Sequence, residues 1–337
     1  MPTRITSADV AAEAGVSQTT VSFVLRDTPG QNISAATKQR VFDAARNLGY
    51  VPNAAAQALA GSSTQTIGLV YPDTRPYLSS QMYLLEFLEG LTAVTQQSNH
   101  RILLESIGEA DEGERLGASA RERRVDGLIL LDAPDDLGVL TSLASGHPVV
   151  SIGHTRVEDL SSVDVDNRAA AREAVQHLVD RGHREIACIT NAPLRNTSAR
   201  HRLHGYHDAL TLADLAIQQR LVREGAYTPE SGYEAMLSLL DNGARVSAAF
   251  VASDTVAMGA LHALSERGIR VPTEMAIVGF DDVALAAFLS PALTTIHVPT
   301  VEIGRRAGKM LLDRIEDPTA PASHVDIDVE LRVRSSS

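Results

Sequence analysis

The chain is 337 residues long, more than one hydrophobic core usually organises, so two or three domains are expected. Apolar residues make up 44%, ordinary for a globular protein. No stretch approaches the roughly 18 consecutive apolar residues of a membrane span, and the start lacks the apolar run of a secretory signal, so a cytoplasmic protein is expected. The lone cysteine, Cys188 in "EIACIT", excludes an internal disulfide and reads as a buried strand thiol with no redox role. The formal charge of −12 argues against nucleic acid only until it is divided along the chain. Residues 1–61 carry five basic groups (Arg4, Arg26, Lys38, Arg40, Arg46) and four acidic ones (Asp9, Glu13, Asp27, Asp43), a net +1 that leaves −13 on the remainder. An acidic body repels DNA, so any DNA contact falls to the N-terminal segment.

Thr6-Ser7-Ala8-Asp9 has the form of a capping box and opens a helix with Val10, Ala11 and Ala14 on one face, broken by Gly15. Ser17 offers a second N-cap, and Val21, Val24 and Leu25 supply the apolar stripe of a second short helix. Two helices joined by so tight a turn form a helix-turn-helix. After the polar "RDTPGQN", Ser34 caps a third helix whose Val41, Ala44, Ala45 and Leu48 share a face, ended by Gly49. These three helices make an all-α headpiece over residues 1–50. In "YVPNAAAQALAG", within residues 51–63, Asn53 can cap and Ala54–Ala60 favours helix but has no core to enter. So short a helix forms only when something packs on it, such as its symmetry mate and a DNA groove.

Beyond the link "GSSTQT", strands alternate with amphipathic helices. "TIGLVYP", "RILLESI", "DGLILLD", "HPVVSIG", "REIACIT", "AAFVAS" and "MAIVGF" are short apolar runs, mostly followed by a helical segment such as "RAAAREAVQHLVDRG". That alternation predicts an α/β core over residues 64–337, with parallel sheets in two lobes. Ligands bind where loops leave the carboxyl ends of such strands, which points to "YPDTRPY", "GHTR", "NAPLRNTSARHR", "ASDT" and "GFDD" as the walls of a cleft.

In a helix-turn-helix the front of the second helix enters the major groove, placing Gln18 and Thr19 at base edges. Gln pairs with an adenine edge, and Thr contacts phosphate or a thymine methyl. His201, His204 and His207 invite a metal, but their spacing turns progressively off one helix face and no cysteine or acid cluster completes a site. "GRRAGKM" lacks the spacing and the hydroxyl of a phosphate loop. No metal and no cofactor is expected. An enzyme is not expected either, since the chain offers no nucleophile elbow, metal cluster or Gly-rich strand-to-helix turn.

"ITSADVAAEAGVSQTTVSFVL", "VPNAAAQALA", "IGLVYPD", "DGLIL", "VDVDNRAAAREAVQHLVDRGHREIA", "RHRLHGYHDAL", "VASDTVAMGALHAL", "IVGFDDV" and "LTTIHVP" occur in one order, from Ile5 to Arg334. This pattern resembles the LacI/GalR type of bacterial transcription regulator, the lac-repressor and purine-repressor family. The resemblance implies a DNA-binding headpiece, a hinge helix over 51–63 and a two-lobed core like a periplasmic sugar-binding protein. By that analogy lobe one takes about 64–163 plus 295–325, and lobe two 164–294 plus 326–337. It further implies a homodimer on a pseudo-palindromic double-stranded DNA operator, most simply as a repressor controlled by a sugar or sugar derivative in the cleft. A sugar-binding or transport receptor using the same core is the alternative. "VELRVRSSS" ends without the leucine heptad of some family tetramers, hence the expectation of a dimer.

Carried over position by position, Thr6, Ser17, Thr20, Ser22, Ser34, Thr37 and Tyr50 match positions that contact or flank the phosphate backbone, although capping explains several equally well. Asn53 and Ala56 belong to the hinge, and Leu59 matches the leucine that wedges into the minor groove. Phe23 stands where some relatives carry a guanine-reading arginine; it either covers a thymine methyl or folds onto the headpiece core. In the cleft, Arg202 matches the arginine that holds the effector, Asp281 its acidic partner and Tyr227 a stacking aromatic. Asp73, Tyr77, Ser198, Ser253 and Asp254 belong to the surrounding loops, with an N-cap role equally open for Asp254. Gly153 departs from a family aspartate that takes sugar hydroxyls, and His154 beside it is the expected substitute.

Overall fold

Capping and a shared apolar face build the first part of the molecule. The computed structural model describes residues 5–25, 30–50, 63–72, 81–107, 116–132, 137–243 and 246–337, and the chain divides into two units, Met1–Thr64 and Gln65–Ser337. In the first, α1 (Ser7–Ala14) begins at a capping box in which the Thr6 backbone N–H and hydroxyl both donate to Asp9, at 2.8 Å. Gly15 ends it in the left-handed conformation, φ 64°. Ser17 accepts the Thr20 N–H at 3.1 Å to start α2 (Gln18–Leu25), and Ser34 accepts the Thr37 N–H at 3.2 Å to start α3 (Ala35–Leu48). Val10, Val21, Val24 and Val41 close the core between the three helices. The expected helix-turn-helix headpiece is therefore present.

The second unit holds two six-stranded sheets. The first contains β1 (Thr66–Pro72), β2 (Arg101–Ile107), β3 (Gly127–Leu131), β4 (Val149–Ile152), β5 (Ser161–Asp164) and β11 (His324–Asp326), in the order β11-β5-β4-β3-β1-β2. The second contains β6 (Ile186–Ile189), β7 (Val222–Arg223), β8 (Ala248–Val251), β9 (Ala276–Asp281), β10 (Thr294–His297) and β12 (Glu330–Arg332), in the order β12-β10-β9-β8-β6-β7. Every pairing is parallel except β10 with β12. Strands such as "VVSI", "IACI" and "AAFV" are buried at every residue, as a parallel sheet covered on both faces requires. Cys188 lies at full burial in β6, which pushes its thiol pKa up and keeps it protonated.

Seven strands were legible as apolar runs; β5, β7, β10, β11 and β12 are two to four residues long and add to them. The chain passes from the first sheet to the second after β5, returns after β10 and crosses again between β11 and β12. Because Thr295–His297 pair with β9, the return falls a few residues later than the expected division at 295.

Backbone contact at glycine joins the helices in pairs. These are α4 (Met82–Gln97) with α11 (Thr300–Glu316), α7 (Asn167–Asp180) with α8 (Thr197–Leu212), and α9 (Pro229–Asp241) with α10 (Asp254–Glu266), counting α5 (Ala118–Arg121) and α6 (Leu137–Gly146) between them. A Cβ at Gly90 would stand 1.8 Å from the Val301 carbonyl oxygen, one at Gly205 2.2 Å from that of Arg168, and one at Gly259 1.7 Å from that of Pro229. Those separations admit hydrogen and nothing larger. Gly259→Ala is therefore expected to lower the unfolding free energy of the full chain by about 1–3 kcal/mol, as overpacking does. Urea titration followed by circular dichroism measures it, and an unchanged midpoint would mean that the two helices do not touch there.

Candidate functional site

The carboxyl ends of strands from both sheets converge on a cleft, the place where ligands bind in parallel sheets. Leu131 and Asp132 come from the end of β3, Ile152 and Gly153 from β4, Asp164 from β5, Asn191 from the loop after β6, Ser253 from that after β8, and Asp281 from β9. Gln81 and Tyr83 at the start of α4, Thr197, Ser198 and Arg202 on α8, and Asn167 and Tyr227 complete the wall.

Arg202 organises the floor. Its Nε donates to the Asn167 side-chain oxygen at 2.8 Å and its Nη1 to the Ala252 carbonyl at 2.7 Å. The same nitrogen lies 3.4 Å from Asp281, and the guanidinium covers the Phe280 ring at 3.7 Å. Arg202 and Asp281 are both more than nine-tenths buried. Burial raises the Asp281 pKa to about 6, against the opposing pull of Arg202 and a hydrogen bond from Ser253. Burial likewise raises Asp132 to about 6, opposed first by the Asn196 amide that donates to it. Asn196 also donates to the Tyr227 hydroxyl at 3.0 Å, and Gln81 donates to the Tyr227 carbonyl, so polar contacts bridge the lobes beside the cavity. Tyr227 and Asp281 adopt φ of 62° and 110°, conformations that strain a side chain bearing a Cβ and that concentrate at ligand sites.

Of the residues expected here, Arg202, Asp281, Tyr227, Ser198 and Ser253 line the cleft. Two expected residues do not. His154 does not line the cavity: its Nδ1 lies 3.0 Å from Asp164 and its Nε2 3.1 Å from Asp326, and these two carboxylates hold the ring. Asp254 is wholly buried beneath α10's first turn, accepting from the Thr295 hydroxyl at 2.6 Å and the Val283 N–H at 3.0 Å. The N-cap of that helix is Ser253. Asp73 and Tyr77 lie outside the described residues. Sequence reasoning missed Gln81, Asp132, Asp164 and Asn167 as site residues, and it named the loop that holds Asn191, Asn196 and Thr197 as a cleft wall without singling them out. Asp132, Asp164, Asn167 and Asn191 share a signal, a polar residue within three positions of a strand's carboxyl end.

Two atoms show what the cleft can accept. The side-chain oxygens of Asn191, which lines the cleft, and Asn196, which donates to Asp132 and Tyr227 at its edge, are buried and have no hydrogen-bond partner among the described residues. An acceptor left without a donor costs about 1–3 kcal/mol, which a ligand hydroxyl can recover. Lining carboxylates at Asp132, Asp164 and Asp281 face one guanidinium, so the wall is rich in acceptors and carries excess negative charge.

In the headpiece, Gln18 and Thr19 are exposed, and Ser22 and Phe23 follow one turn later on the side of α2 opposite Val21 and Val24. Among the described residues, the partly buried apolar side chains that pack on this core are Val16, Leu25, Ile33, Leu48 and Tyr50, and Phe23 is not one of them. Ser17 with Thr20 and Ser34 with Thr37 are hydroxyl pairs at 2.9 Å that secure helix starts, as Thr6 does with Asp9. Asn53, Ala56 and Leu59 lie outside the described residues.

Comparison with known proteins places this geometry. Residues 6–53 match the family model for bacterial regulatory proteins, lacI family, and residues 175–337 match a periplasmic binding protein-like domain. The HTH-type transcriptional regulator CelR of Thermobifida fusca is 35% identical over 331 residues, 97% of this chain and 96% of CelR. A solved transcriptional regulator CelR–cellobiose complex aligns with a TM-score of 0.75 at 34% identity, covering 99% of this chain and all of that one. The lac repressor dimer bound to operator and the anti-inducer ONPF aligns with a TM-score of 0.84 at 28% identity, over 99% of both chains.

The His154 clamp has a pH signature. Hydrogen bonding to Asp164, with the Asp164 and Asp326 charges, raises the His154 pKa to about 9 against partial desolvation. A histidine raised in the folded state contributes stability that is complete below its unfolded pKa of about 6.5 and is lost as pH rises through the folded value. Melting temperatures of wild type and His154→Gln are therefore expected to differ most at pH 6 and to converge above pH 9. A difference independent of pH would show that the imidazole is not charged in this clamp.

Proposed function

The chain belongs to the lacI family of bacterial regulatory proteins and is a DNA-binding transcription regulator; we propose that it acts as a repressor whose hold on its operator is set by a sugar in the cleft. The observation that carries the effector reading is the buried amide oxygen of Asn191, which has no hydrogen-bond partner among the described residues, in a cleft wall shared with the Arg202–Asp281 pair. A polyhydroxylated ligand supplies several donors at close spacing, which matches this set of acceptors. Cellobiose in the CelR complex is a ligand of this chemistry.

Operator reading falls to the exposed face of α2. Gln18 and Thr19 meet base edges, Phe23 covers a thymine methyl from its outward position, and the hydroxyl-capped helix starts at Ser17 and Ser34 present N–H groups to phosphate. The protein works as a homodimer on a pseudo-palindromic site. Apolar side chains that a monomer leaves in water support this: Leu85 on α4, Leu103 and Leu104 on the edge strand β2, and Leu285 and Phe288, the last 84% exposed. The related lac repressor is a dimer on its operator. The reading places the protein in the cytoplasm, where the operator is.

Mobility shifts on a selected pseudo-palindromic duplex, with a panel of sugars, test this reading. A sugar that raises the melting temperature is expected to change operator affinity in wild type. Asn191→Ala and Arg202→Gln are each expected to bind the duplex yet lose at least about tenfold in sugar affinity, the equivalent of one buried hydrogen bond to a charged or unpaired group. Sugar binding unchanged in Asn191→Ala would remove the cleft from the account.

A further inference from the structure

Beside the cleft, and sharing Thr197 with it, lies a second groove of about 570 Å³. His154, Thr155 and Arg156 line it from the loop after β4, and Thr197, Arg200 and His201 line it from the start of α8. Its chemistry is the reverse of the cleft's. No carboxylate and no amide lines it; every lining side chain is a guanidinium, an imidazole or a hydroxyl. Both ring nitrogens of His154 are engaged by Asp164 and Asp326, so the donors the groove offers come from Thr155, Arg156, Thr197, Arg200 and His201.

The two arginines and the start of α8 carry the positive charge there. His154 is held protonated by Asp164 and Asp326, whose carboxylates offset its charge. His201 stands edge-on to it at 5.5 Å, its own pKa lowered by burial and then by the His154 charge. Arg200 is anchored through Nη1 to the Leu194 and Arg195 carbonyls at 3.1 and 2.6 Å, so its guanidinium stays at the groove. The sixteen-residue α8 begins at Thr197 and directs the positive end of its dipole the same way.

We propose that this groove takes the anionic substituent, a phosphate or a carboxylate, of a sugar whose hydroxyls occupy the cleft. The two compartments divide one ligand by charge. The carboxylate-rich cleft repels an anion and accepts hydroxyl protons, while the groove offers donors and, among its lining residues, neither an aromatic platform nor a carboxylate for a second neutral ring. The inference rests on the reading of the cleft as the effector site, and the two can fail separately.

All eleven histidines follow residue 64, so their imidazole resonances report on the core and not on phosphate contacts of the headpiece. Inorganic phosphate titrated into the full chain at constant ionic strength is expected to shift the His154 and His201 imidazole resonances saturably. The shift is expected to weaken at least about fivefold in Arg156→Gln and in Arg200→Gln, each of which removes one charged donor. A response no greater than that to chloride, or one that both variants leave at the wild-type level, would overturn the proposal without touching the cleft. Calorimetry then distinguishes the source of the anion by comparing sugar phosphates and uronic acids with their neutral parents. The charged member is expected to bind at least about tenfold more tightly, with Arg156→Gln bringing the pair within about twofold. A neutral parent that binds as tightly as its charged counterpart would overturn the groove and leave the cleft standing. Loss of neutral-sugar binding in Asn191→Ala tests the cleft alone.

Discussion

A guanidinium cannot be taken from water without partners, and the effector core is arranged around meeting that demand for Arg202. Its donors reach the end of β8 at Ala252, the end of β9 at Asp281 and the start of α7 at Asn167, while its face rests on Phe280. Asn167 passes the connection to Asp164 at 2.9 Å, and Asp164 passes it to His154. One hydrogen-bonded chain thus runs from the second sheet, through the crossover after β5, to the rim of the first. Buried ion pairs of this kind are poor sources of net stability, because desolvation offsets their attraction. What they supply is a fixed arrangement of charge.

That arrangement gives the cleft its character. Three lining carboxylates face a single guanidinium, and among the described residues the buried Asn191 amide oxygen has no donor. Polar contacts from Asn196 to Asp132 and from Gln81 to Tyr227 join the lobes at the same place. A ligand that fills the cavity therefore bears on the groups that hold one lobe to the other. An effector alters DNA affinity only through its differential affinity for two states of the core, and contacts shared between lobe closure and ligand are where such a difference arises.

Much of this was legible in the amino-acid sequence, for reasons that are local. Thr6 with Asp9, Ser17 with Thr20 and Ser34 with Thr37 are capping pairs three residues apart, and Gly15 and Gly49 are the left-handed stops that follow. Apolar runs found seven strands. The strands β5, β7, β10, β11 and β12 were not found because their sequences, such as "SSVD", "TTIH" and "ELR", form no apolar run, and β11 pairs with β5 across 162 residues. The same limit applied at the site. Arg202 and Asp281 came from motif resemblance, whereas the pairing of His154 with Asp326, 172 positions further on, has no local signal and sets the ring outside the cleft lining. Asp254 looked equally like a ligand group until Thr295 and Val283 accounted for both of its oxygens.

The central claim is that the acceptors arranged around Arg202 bind a sugar and that this binding is coupled to the operator. It is tested most directly by measuring both affinities in one thermodynamic cycle. Operator dissociation constants are determined with and without a saturating sugar, and sugar dissociation constants with and without operator. The account predicts that both ratios differ from one by the same factor, as linkage requires, and that Asn191→Ala abolishes the effect. A sugar that binds the wild-type protein yet leaves operator affinity unchanged would contradict it.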